Sequence, residues 1–564
     1  MIGLLLQFWR HLLVLILLMM LFGLIGARAI KLQVTDRDFL QSQGEARMER
    51  VDSISASRGM ILDRNGEPLA VSAPLTTLWA DPRLFGQENV PELAKALGVT
   101  QQWLSQRTST QKSFVYLKRH MVPEDAAAIL DLKMTGVFGQ IEYKRFYPAG
   151  EVTAQIIGLT NVDEAGQEGI ELAFNDVLEG EDGKKRVLKD LYGRTVRDVE
   201  SIKAVSPGEN LYLTVDQNLQ YLAYRELKAA VTQYHATAGS LVMMDVTTGE
   251  ILAMVNQPSF NPNNRANLVY AQARNRSVTD AIEPGSVVKA LTLAAALESG
   301  KLKPTSEFNT SPGYRRYDGH TIRDTRDYGK LSMTDVLVKS SNIGASEIAL
   351  TVGGEEVWKV FYDLGLGQVS GIGLPGESAG LLPNRPNWKD IETATFSYGY
   401  GLTVTPLQLV VAYAAIANNG VKVQPMMIRD GTSTVSKRVL SESTATKMQS
   451  MLEQVVLKGT GRAAQSALYR IAGKTGTSHK VGPEGYNDNR YVGTFAGFAP
   501  VSNPRLAMIL IIDDPQGEKY YGGEIAAPAF GRIMEAALQL LNVAPDQALS
   551  DGAAFVASEL EVAL

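Results

Sequence analysis

Three short motifs in the second half of the chain carry residue types that together could perform acyl transfer. They are Ser-Val-Val-Lys at 286–289, Ser-Ser-Asn at 340–342 and Lys-Thr-Gly-Thr at 474–477. A serine can form an ester with an acyl group when a nearby base removes its proton, and a lysine three residues later can be that base. The Ser-x-x-Lys pattern alone is weak evidence, because residues 109–112 also fit it. Only the copy at 286–289 lies in the same predicted domain as the other two motifs, which follow it in order, so the combination predicts the site.

The sequence around Ser286 predicts an exposed nucleophile at the start of a helix. Pro284 and Gly285 interrupt the chain just before it, so free backbone N–H groups and the helix dipole would favour negative charge there. Lys289 would present its amine over the same helix face. A free lysine has a pKa of about 10.4, and burial together with a second cation, for which Lys474 is the candidate, would lower that pKa. The alternative is that Ser286 only caps the helix.

The other two motifs would place polar groups around this pair. Ser340 and Asn342 are predicted in a short break between two helices, where the hydroxyl could relay a proton and the amide could orient Lys289 and a substrate carbonyl. The alternative is plain helix capping. Gly476 would let an extended substrate lie against a strand edge. The hydroxyl groups at 475 and 477 could hold a carboxylate, and the N–H groups of residues 286 and 477 could form an oxyanion hole.

Composition and charge exclude several other classes of protein. The 564 residues are 45% hydrophobic and 20% charged, which is an ordinary globular composition for two or more domains. A net charge of -5 argues against a nucleic-acid partner. The chain has no cysteine, so disulfides and thiolate chemistry are excluded. Its five histidines show no metal-binding spacing, and we expect neither a metal nor a cofactor.

An N-terminal apolar segment predicts a membrane anchor. Residues 8–29 would form a helix of about 22 residues, roughly 33 Å long, which is enough to cross a bilayer. The alternative is a cleaved signal peptide, because Ala27-Arg28-Ala29 resembles a cleavage site. We favour the retained anchor, since the apolar run is long and Arg28 would lie inside the cleavage motif. Basic residues flank the segment on both sides, so charge does not decide its orientation.

Changes in residue composition and in predicted secondary structure along the sequence predict five regions. They are a tip and anchor at 1–30, a polar stalk at 31–56, a non-catalytic module at 57–207, a catalytic domain at 208–545 and a tail at 546–564. In the module, Asn65-Gly66 predicts a hairpin turn, and no nucleophile–base pair is evident there.

The region from residue 208 onward predicts an α+β domain. A strand at 211–215 leads into a helix capped by Asp216, and a hairpin follows at 240–245 and 250–255. The later helices are predicted at 287–298, 333–340, 346–352, 355–364, 406–417 and 528–541, and the later strands at 470–477, 491–499 and 505–512. The implied architecture is an antiparallel sheet built from both ends of the domain, with helices on its faces and a helical subdomain between them.

Together these motifs resemble the division-specific class B penicillin-binding proteins. The resemblance also rests on segments at 58–70, 145–150, 166–171 and 397–402, and it extends from the anchor to about residue 545. It implies an extended mixed α/β pedestal domain followed by a penicillin-binding transpeptidase domain. It further implies a single-pass anchor in the bacterial inner membrane, with the catalytic domain in the periplasm.

The resemblance implies a substrate and partners as well. The expected reaction cross-links D-Ala-D-Ala stem peptides of peptidoglycan to an amine acceptor during septal cell-wall synthesis, and β-lactam antibiotics would acylate the same serine. Because no glycosyltransferase module is recognisable upstream, a membrane-embedded glycan polymerase and divisome proteins are the expected partners.

Matching positions assign a role to each motif residue. Ser286 is the expected nucleophile and Lys289 its base. The assisting residues would be Ser340, Asn342 and Lys474, and the substrate-binding residues Thr475, Gly476, Thr477, Tyr398, Tyr400, Tyr520 and Tyr521. A core position is the alternative for the tyrosines. Val287 departs from the pattern, since many relatives carry threonine there, so a hydroxyl is absent at this place.

Two other functions would share these residues. A serine D,D-carboxypeptidase or β-lactamase would use the same acylation but hydrolyse the acyl-enzyme, whereas a non-catalytic divisome scaffold would not be acylated. The sequence shows no Glu-x-x-Leu-Asn segment of the kind that positions the hydrolytic water in class A β-lactamases, and a hydrolase would leave the large pedestal unexplained. The rate of acyl release separates the three functions.

Overall fold

The computed structural model describes residues 2–40, 48–190, 195–266, 268–429, 431, 434–482 and 485–547. The predicted tail at 546–564 therefore lies almost wholly outside the described residues, as does part of the predicted stalk, at 41–47. Packing divides the chain into two units. Unit 1 comprises Met1–Arg58, Ala73–Lys144 and Glu179–Gly208, and unit 2 comprises Gly59–Ser72, Arg145–Leu178 and Glu209–Leu564.

The N-terminal segment forms one long helix, Ile2–Ile30, which continues into a short π-helix, Lys31–Thr35. Within the span Phe8–Thr35, the most apolar 18-residue stretch has a mean hydropathy of 2.5 and is not buried inside the protein. As predicted, the helix is long and apolar enough to cross a membrane.

Among the described residues, the rest of unit 1 includes a three-stranded sheet, strands of a second sheet and three short α-helices. In the first sheet, Gly183–Lys189 lies between Glu49–Ile54 and Thr195–Lys203 in antiparallel pairings. In the second, strand Pro68–Ala80 pairs with Val115–Met121 near its end and also with Val137–Phe146. The helices are Val90–Leu97, Gln101–Thr108 and Pro123–Leu130. The apolar faces of these helices pack against the second sheet and form one core with it. This core includes Leu78, Leu93 and Leu117.

Unit 2 includes two segments that precede residue 208, namely Gly59–Ser72 and Arg145–Leu178. The predicted hairpin is present, since Ile61–Leu62 pairs with the start of Pro68–Ala80 across a turn in which Gly66 has φ +90°. Unit 2 therefore contains residues from both sides of the predicted domain boundary at residue 208. The division of the sequence into five regions remains a prediction.

A five-stranded antiparallel sheet forms the centre of unit 2. Its order is Ile251–Gln257, Ala238–Asp245, Leu506–Asp513, Gly485–Ala499 and Ala472–Gly482. The strands come from both ends of the region, as predicted. Helices cover both faces of the sheet, so the side chains on either face are buried. Leu241 and Met243 face the core formed by helices Gln217–Gln233 and Ala527–Leu540, whereas Val242 and Met244 face the core that contains helix Pro406–Ala417.

The helical subdomain lies between these strands in sequence. Its helices are Lys289–Glu298, Met333–Lys339, Asn342–Val352, Gly354–Asp363, Asp390–Ser397 and Glu442–Lys458. Small hairpins connect them, including Tyr314–Tyr317 with His320–Arg323. The predicted α+β class and the helical subdomain are confirmed, although the sequence analysis missed the helices Asp390–Ser397 and Glu442–Lys458.

Candidate active site

Ser286 lies where a 3-10 turn, Gly285–Val288, runs directly into the helix Lys289–Glu298. This is the predicted position at a helix start. Gly285 has φ +57°, and a Cβ there would lie 3.3 Å from the side chain of Ser478, so the turn packs tightly against the strand Ala472–Gly482. Within the described part of the chain, the Ser286 hydroxyl makes no hydrogen bond, and it lines a cavity of about 650 Å³. The hydroxyl is therefore open to a substrate.

Lys289 is completely buried beside this cavity. Its Nζ donates hydrogen bonds to the Ser340 carbonyl oxygen at 2.6 Å and to Asn342 Oδ1 at 2.7 Å, and lies 3.2 Å from Ser340 Oγ. Burial lowers the pKa of Lys289 to about 7, and the negative charge of Asp324 opposes that change. The amine can therefore be neutral near physiological pH, as a general base must be.

Lys474 is also completely buried, and its Nζ donates to Ser340 Oγ at 3.0 Å and to the Thr475 carbonyl oxygen at 3.0 Å. Burial, and then the charge of Lys289, lower the pKa of Lys474 well below its ordinary value. The sequence analysis expected burial and a second cation, Lys474, to lower the pKa of Lys289. Burial does lower the pKa of both lysines, and the proximity of the two amines opposes protonation of both at once.

Ser340 joins the two amines. It ends the helix Met333–Lys339 in the left-handed conformation, with φ +59°, which is uncommon for a residue with a side chain. In this conformation its hydroxyl lies 3.2 Å from Lys289 Nζ and 3.0 Å from Lys474 Nζ. A hydroxyl both donates and accepts, so Ser340 can pass a proton between the lysines.

Asn342 begins the next helix, Asn342–Val352. Its Oδ1 accepts from Lys289, and its Nδ2 donates to the Arg323 carbonyl oxygen at 3.1 Å. The predicted break between two helices is therefore present. The second helix begins four residues earlier than predicted, because the Ser341 side chain caps it by accepting from the N–H of Gly344.

The strand Ala472–Gly482 is at the edge of the sheet and, among the described strands, pairs only with Gly485–Ala499. Its free edge can bind an extended peptide, as predicted. Gly476 has a second role that the sequence did not reveal. A Cβ at this position would lie 3.0 Å from Val287 Cγ1 and 3.1 Å from the Pro284 carbonyl oxygen, so glycine lets the strand approach the turn that carries Ser286.

Thr475 and Thr477 both line the cavity. The Thr475 hydroxyl is 2.7 Å from that of Thr460, and the Thr477 hydroxyl accepts from the N–H of Gly522 at 3.0 Å. Each hydroxyl is thus held by a hydrogen bond within the protein. Both can donate to a carboxylate placed in the cavity.

The four tyrosines separate into two groups. Tyr521 lines the cavity and is 49% exposed, and Tyr520 packs between Tyr521 and Tyr491, with ring centroids 4.5 and 4.1 Å away. Tyr398 is only 9% exposed and packs with Ile322, Ile343 and Ala394, while Tyr400 packs against Tyr398. Neither of these two lines the cavity. The core alternative therefore fits Tyr398 and Tyr400 better, although the Tyr398 ring lies 5.9 Å from Lys289 Nζ.

Comparisons with known proteins identify the family of this chain. Residues 239–535 match the penicillin binding protein transpeptidase domain, and residues 53–213 match the penicillin-binding protein dimerisation domain. The chain is 43% identical over 556 residues to the peptidoglycan D,D-transpeptidase FtsI of Escherichia coli, covering 96% of this chain and 94% of that protein. It is 41% identical over 544 residues to the probable peptidoglycan D,D-transpeptidase PbpC of Pseudomonas aeruginosa, covering 95% and 96%.

A solved structure supports the same assignment. The crystal structure of penicillin binding protein 3 from Mycobacterium tuberculosis, complexed with aztreonam, has a TM-score of 0.68 to this chain at 30% sequence identity, covering 88% of this chain and 99% of that one. The matched transpeptidase domain spans more than half of the sequence. The chain therefore belongs to the penicillin-binding protein transpeptidases.

Proposed function

We propose that this protein is a serine D,D-transpeptidase that cross-links peptidoglycan stem peptides. The observation that carries the proposal is the chain of polar contacts from Lys289 through Ser340 to Lys474, next to an open Ser286 hydroxyl and a free strand edge. The names of the relatives, which are peptidoglycan D,D-transpeptidases, support the choice of substrate.

In the first half of the reaction, Ser286 Oγ attacks the carbonyl of the penultimate D-Ala while its proton moves to the Lys289 amine. The carbonyl oxygen becomes an oxyanion, which the N–H groups of residues 286 and 477 can stabilise. When the C–N bond breaks, the terminal D-Ala leaves with a proton returned through Lys289 or through Ser340. Thr475 and Thr477 would hold the terminal carboxylate, and Gly476 lies on the edge that pairs with the peptide.

In the second half, the amine of a neighbouring stem attacks the ester carbonyl. The new C–N bond forms as the bond to Ser286 Oγ breaks, and the amine's proton returns to the serine through the same groups. A β-lactam would enter by the first half only, because its leaving amine stays tethered and occupies the place of the acceptor.

The cellular setting belongs to the same proposal. A single-pass anchor in the inner membrane would hold the catalytic domain in the periplasm, and a membrane-embedded glycan polymerase and divisome proteins would be its partners. The identity to FtsI over nearly the whole chain supports a septal role. Depleting the protein should block septation, and normal septation in depleted cells under every condition of expression would reject this role.

Intact-protein mass spectrometry tests the chemistry. The full chain in detergent micelles is mixed with benzylpenicillin and followed for hours beside Ser286→Ala. A lasting adduct of one drug molecule on the wild type alone supports a transpeptidase. A short-lived adduct with consumption of the drug would indicate a hydrolase, and the absence of any adduct would indicate a scaffold.

Acylation should depend on pH through Lys289. Because its pKa is lowered to about 7, the amine is neutral above that pH and protonated below it. The acylation rate should therefore fall about tenfold for each pH unit below 7 and reach a plateau above it. Stopped-flow acylation by a chromogenic cephalosporin between pH 5 and about 9 measures this profile. A rate that is flat across this range would contradict the role of Lys289 as the base.

Lys474→Ala should slow acylation by about tenfold or more, because the Ser340 hydroxyl loses one of the two amines that hold it. It should also weaken the reversible binding that precedes acylation, because Lys474 Nζ lies 3.4 Å from the Thr475 hydroxyl, which is expected to hold the carboxylate. The dependence of the rate on drug concentration measures this binding. Lys480→Ala is the matched control, since Lys480 lies on the same strand but binds Asp513 at 2.7 Å. Unchanged β-lactam affinity in Lys474→Ala would show that Lys474 does not serve the carboxylate.

A further inference from the structure

The cavity beside Ser286 is lined by basic side chains that the acyl-transfer steps do not use. Its volume of about 650 Å³ extends to Arg323, Lys339 and Arg462. Arg323 already has a partner, since its guanidinium lies 5.7 Å from the centroid of the Tyr314 ring. Lys339 and Arg462 are exposed, and among the described residues their side chains form no hydrogen bond and no ion pair. Two cations at this cavity are therefore available to a ligand.

The two cations belong to segments that touch each other. Lys339 is the last residue of its helix, and Arg462 follows shortly after the helix Glu442–Lys458. A Cβ at Gly459 would lie only 2.6 Å from the Val338 carbonyl oxygen, so a side chain there would force the two segments apart. We refer to Lys339 and Arg462 together as the basic rim.

The basic rim lies on the side of the cavity from which the terminal D-Ala leaves. Thr460, two residues before Arg462, has its hydroxyl 2.7 Å from that of Thr475, and Thr475 is expected to hold the carboxylate of this D-Ala. Lys339 directly precedes Ser340, whose hydroxyl links the two catalytic lysines. Both members of the rim are thus next to groups that contact the leaving amino acid.

The incoming acceptor must occupy the same side. The second half of the reaction forms the same type of amide bond that the first half breaks, so the acceptor amine takes the place of the departed D-Ala amine. The groups attached to the acceptor amine then extend past Thr475 towards the basic rim. Lysine and arginine side chains bind carboxylates, and arginine can do so with two parallel hydrogen bonds. The charge of the rim is therefore complementary to an acidic acceptor.

The acidic groups of the cavity do not neutralise the basic rim. Asp324 lines the cavity, but its carboxylate already accepts three hydrogen bonds from the start of helix Asn342–Val352 and from the residue that caps it. Glu524 also lines the cavity and lies near Thr460, because a Cβ at the adjacent Gly523 would be 2.6 Å from the Thr460 carbonyl oxygen. Its negative charge suits the ammonium that an amine carries before it reacts. The cavity thus fits a ligand with both an amine and a carboxylate.

We propose that the basic rim, Lys339 and Arg462, binds a side-chain carboxylate of the acceptor stem while the acceptor amine attacks the ester on Ser286. The proposal rests on the proposed function, since it assumes transfer to an amine. It makes acidic acceptors better substrates than neutral acceptors of the same size. The rim determines specificity in the second half of the reaction and takes no part in the chemistry on the serine.

The test measures how the acyl-enzyme partitions between transfer to an amine and hydrolysis. The full chain in detergent micelles receives a thioester of N-benzoyl-D-alanine as donor and one amino acid as acceptor, and mass spectrometry gives the ratio of amide to free acid. D-glutamate and D-glutamine form one pair of acceptors, because they have the same shape and differ in charge. D-α-aminoadipate and D-norleucine form a second pair, in which the charge lies one carbon further from the amine. In at least one pair the acidic acceptor should give a ratio about 5- to 30-fold higher.

Arg462→Gln and Lys339→Gln should each lower this preference for the acidic acceptor by about 3- to 10-fold, because each removes one charge-assisted bond. Both side chains are exposed, so the variants should fold, and equal melting temperatures verify this. Arg532→Gln is the matched control. Arg532 is an exposed arginine of the same unit that binds Glu226 at 3.0 Å and does not line the cavity. The control should keep the preference of the wild type.

Two results would overturn the proposal at once: equal ratios for the acidic and neutral acceptors in the wild type, or an unchanged preference in both rim variants. A third would be acylation by the chromogenic cephalosporin that slows in the rim variants as much as transfer does, because the rim would then serve the donor. A wild type that forms no acyl-enzyme, or that transfers its acyl group to none of the four amines, would instead reject the proposed function.

Discussion

Lys289→Ala should lose acylation by roughly 10²- to 10⁴-fold, because the amine that accepts the serine proton is removed while Ser286 and the cavity remain. The fold should survive. The lowered pKa of Lys289 means that the folded protein holds the protonated amine less favourably than the unfolded chain does at neutral pH. Removing the amine relieves this cost. The gain in stability offsets part of the loss caused by the cavity that alanine leaves.

Mass spectrometry with benzylpenicillin and thermal unfolding of the same samples measure these two effects. Lys112→Ala is the matched control, because Lys112 belongs to the second Ser-x-x-Lys sequence in the chain and is exposed. It should be acylated at the rate of the wild type. Acylation of Lys289→Ala at the wild-type rate would remove Lys289 from the mechanism, whereas a large drop in melting temperature would mean that the variant tests folding and not chemistry.

Features encoded by neighbouring residues were predicted well. The break at Pro284 and Gly285 placed Ser286 at a helix start, and Asp216 was identified as the cap of the helix Gln217–Gln233, where its side chain accepts from Asn218 and Leu219. The five strands of the central sheet were also predicted, although their ends differ by a few residues from the observed ones. In each case the sequence within a few residues decides the local structure, so a pattern along the chain was sufficient.

The helix Glu442–Lys458 was missed although its signal was present. Ser441 caps it by accepting from Thr444, and its buried residues recur at helical spacing, as at Met448, Leu452 and Val455. Asp324 is a different case, since no pattern near it points to the site. Its bonds reach residues 17 to 19 positions away and exist only because a hairpin places it at a helix end. The sequence analysis expected burial to lower the pKa of Lys289, but the complete burial of Lys289 and Lys474 arises only from the folded packing around them.

Glu171→Ala should strongly destabilise unit 2. Its carboxylate pairs with Arg145 at 2.6 Å, and both side chains are almost completely buried, at 0% and 1% exposed. Breaking such a pair by removing one partner leaves a buried, uncompensated guanidinium, which costs about 3–5 kcal/mol. Arg145 also donates to the Ser72 hydroxyl at 3.1 Å, and this bond cannot replace a charge partner. Denaturant unfolding of the full chain in micelles, followed by tryptophan fluorescence and by loss of acylation, measures the effect.

A control variant tests whether burial is what makes the Arg145–Glu171 pair stabilising. Glu151→Ala removes a carboxylate from a half-exposed pair in the same unit, since Glu151 lies 3.2 Å from Lys228 and the two side chains are 46% and 50% exposed. Water replaces that contact at little cost, so the loss should stay below about 1 kcal/mol. Equal losses in the two variants would mean that the buried pair adds nothing beyond a surface contact. Because Arg145 and Glu171 both precede residue 208 in the sequence, a selective loss of acylation in Glu171→Ala would show that these early segments support the fold around Ser286.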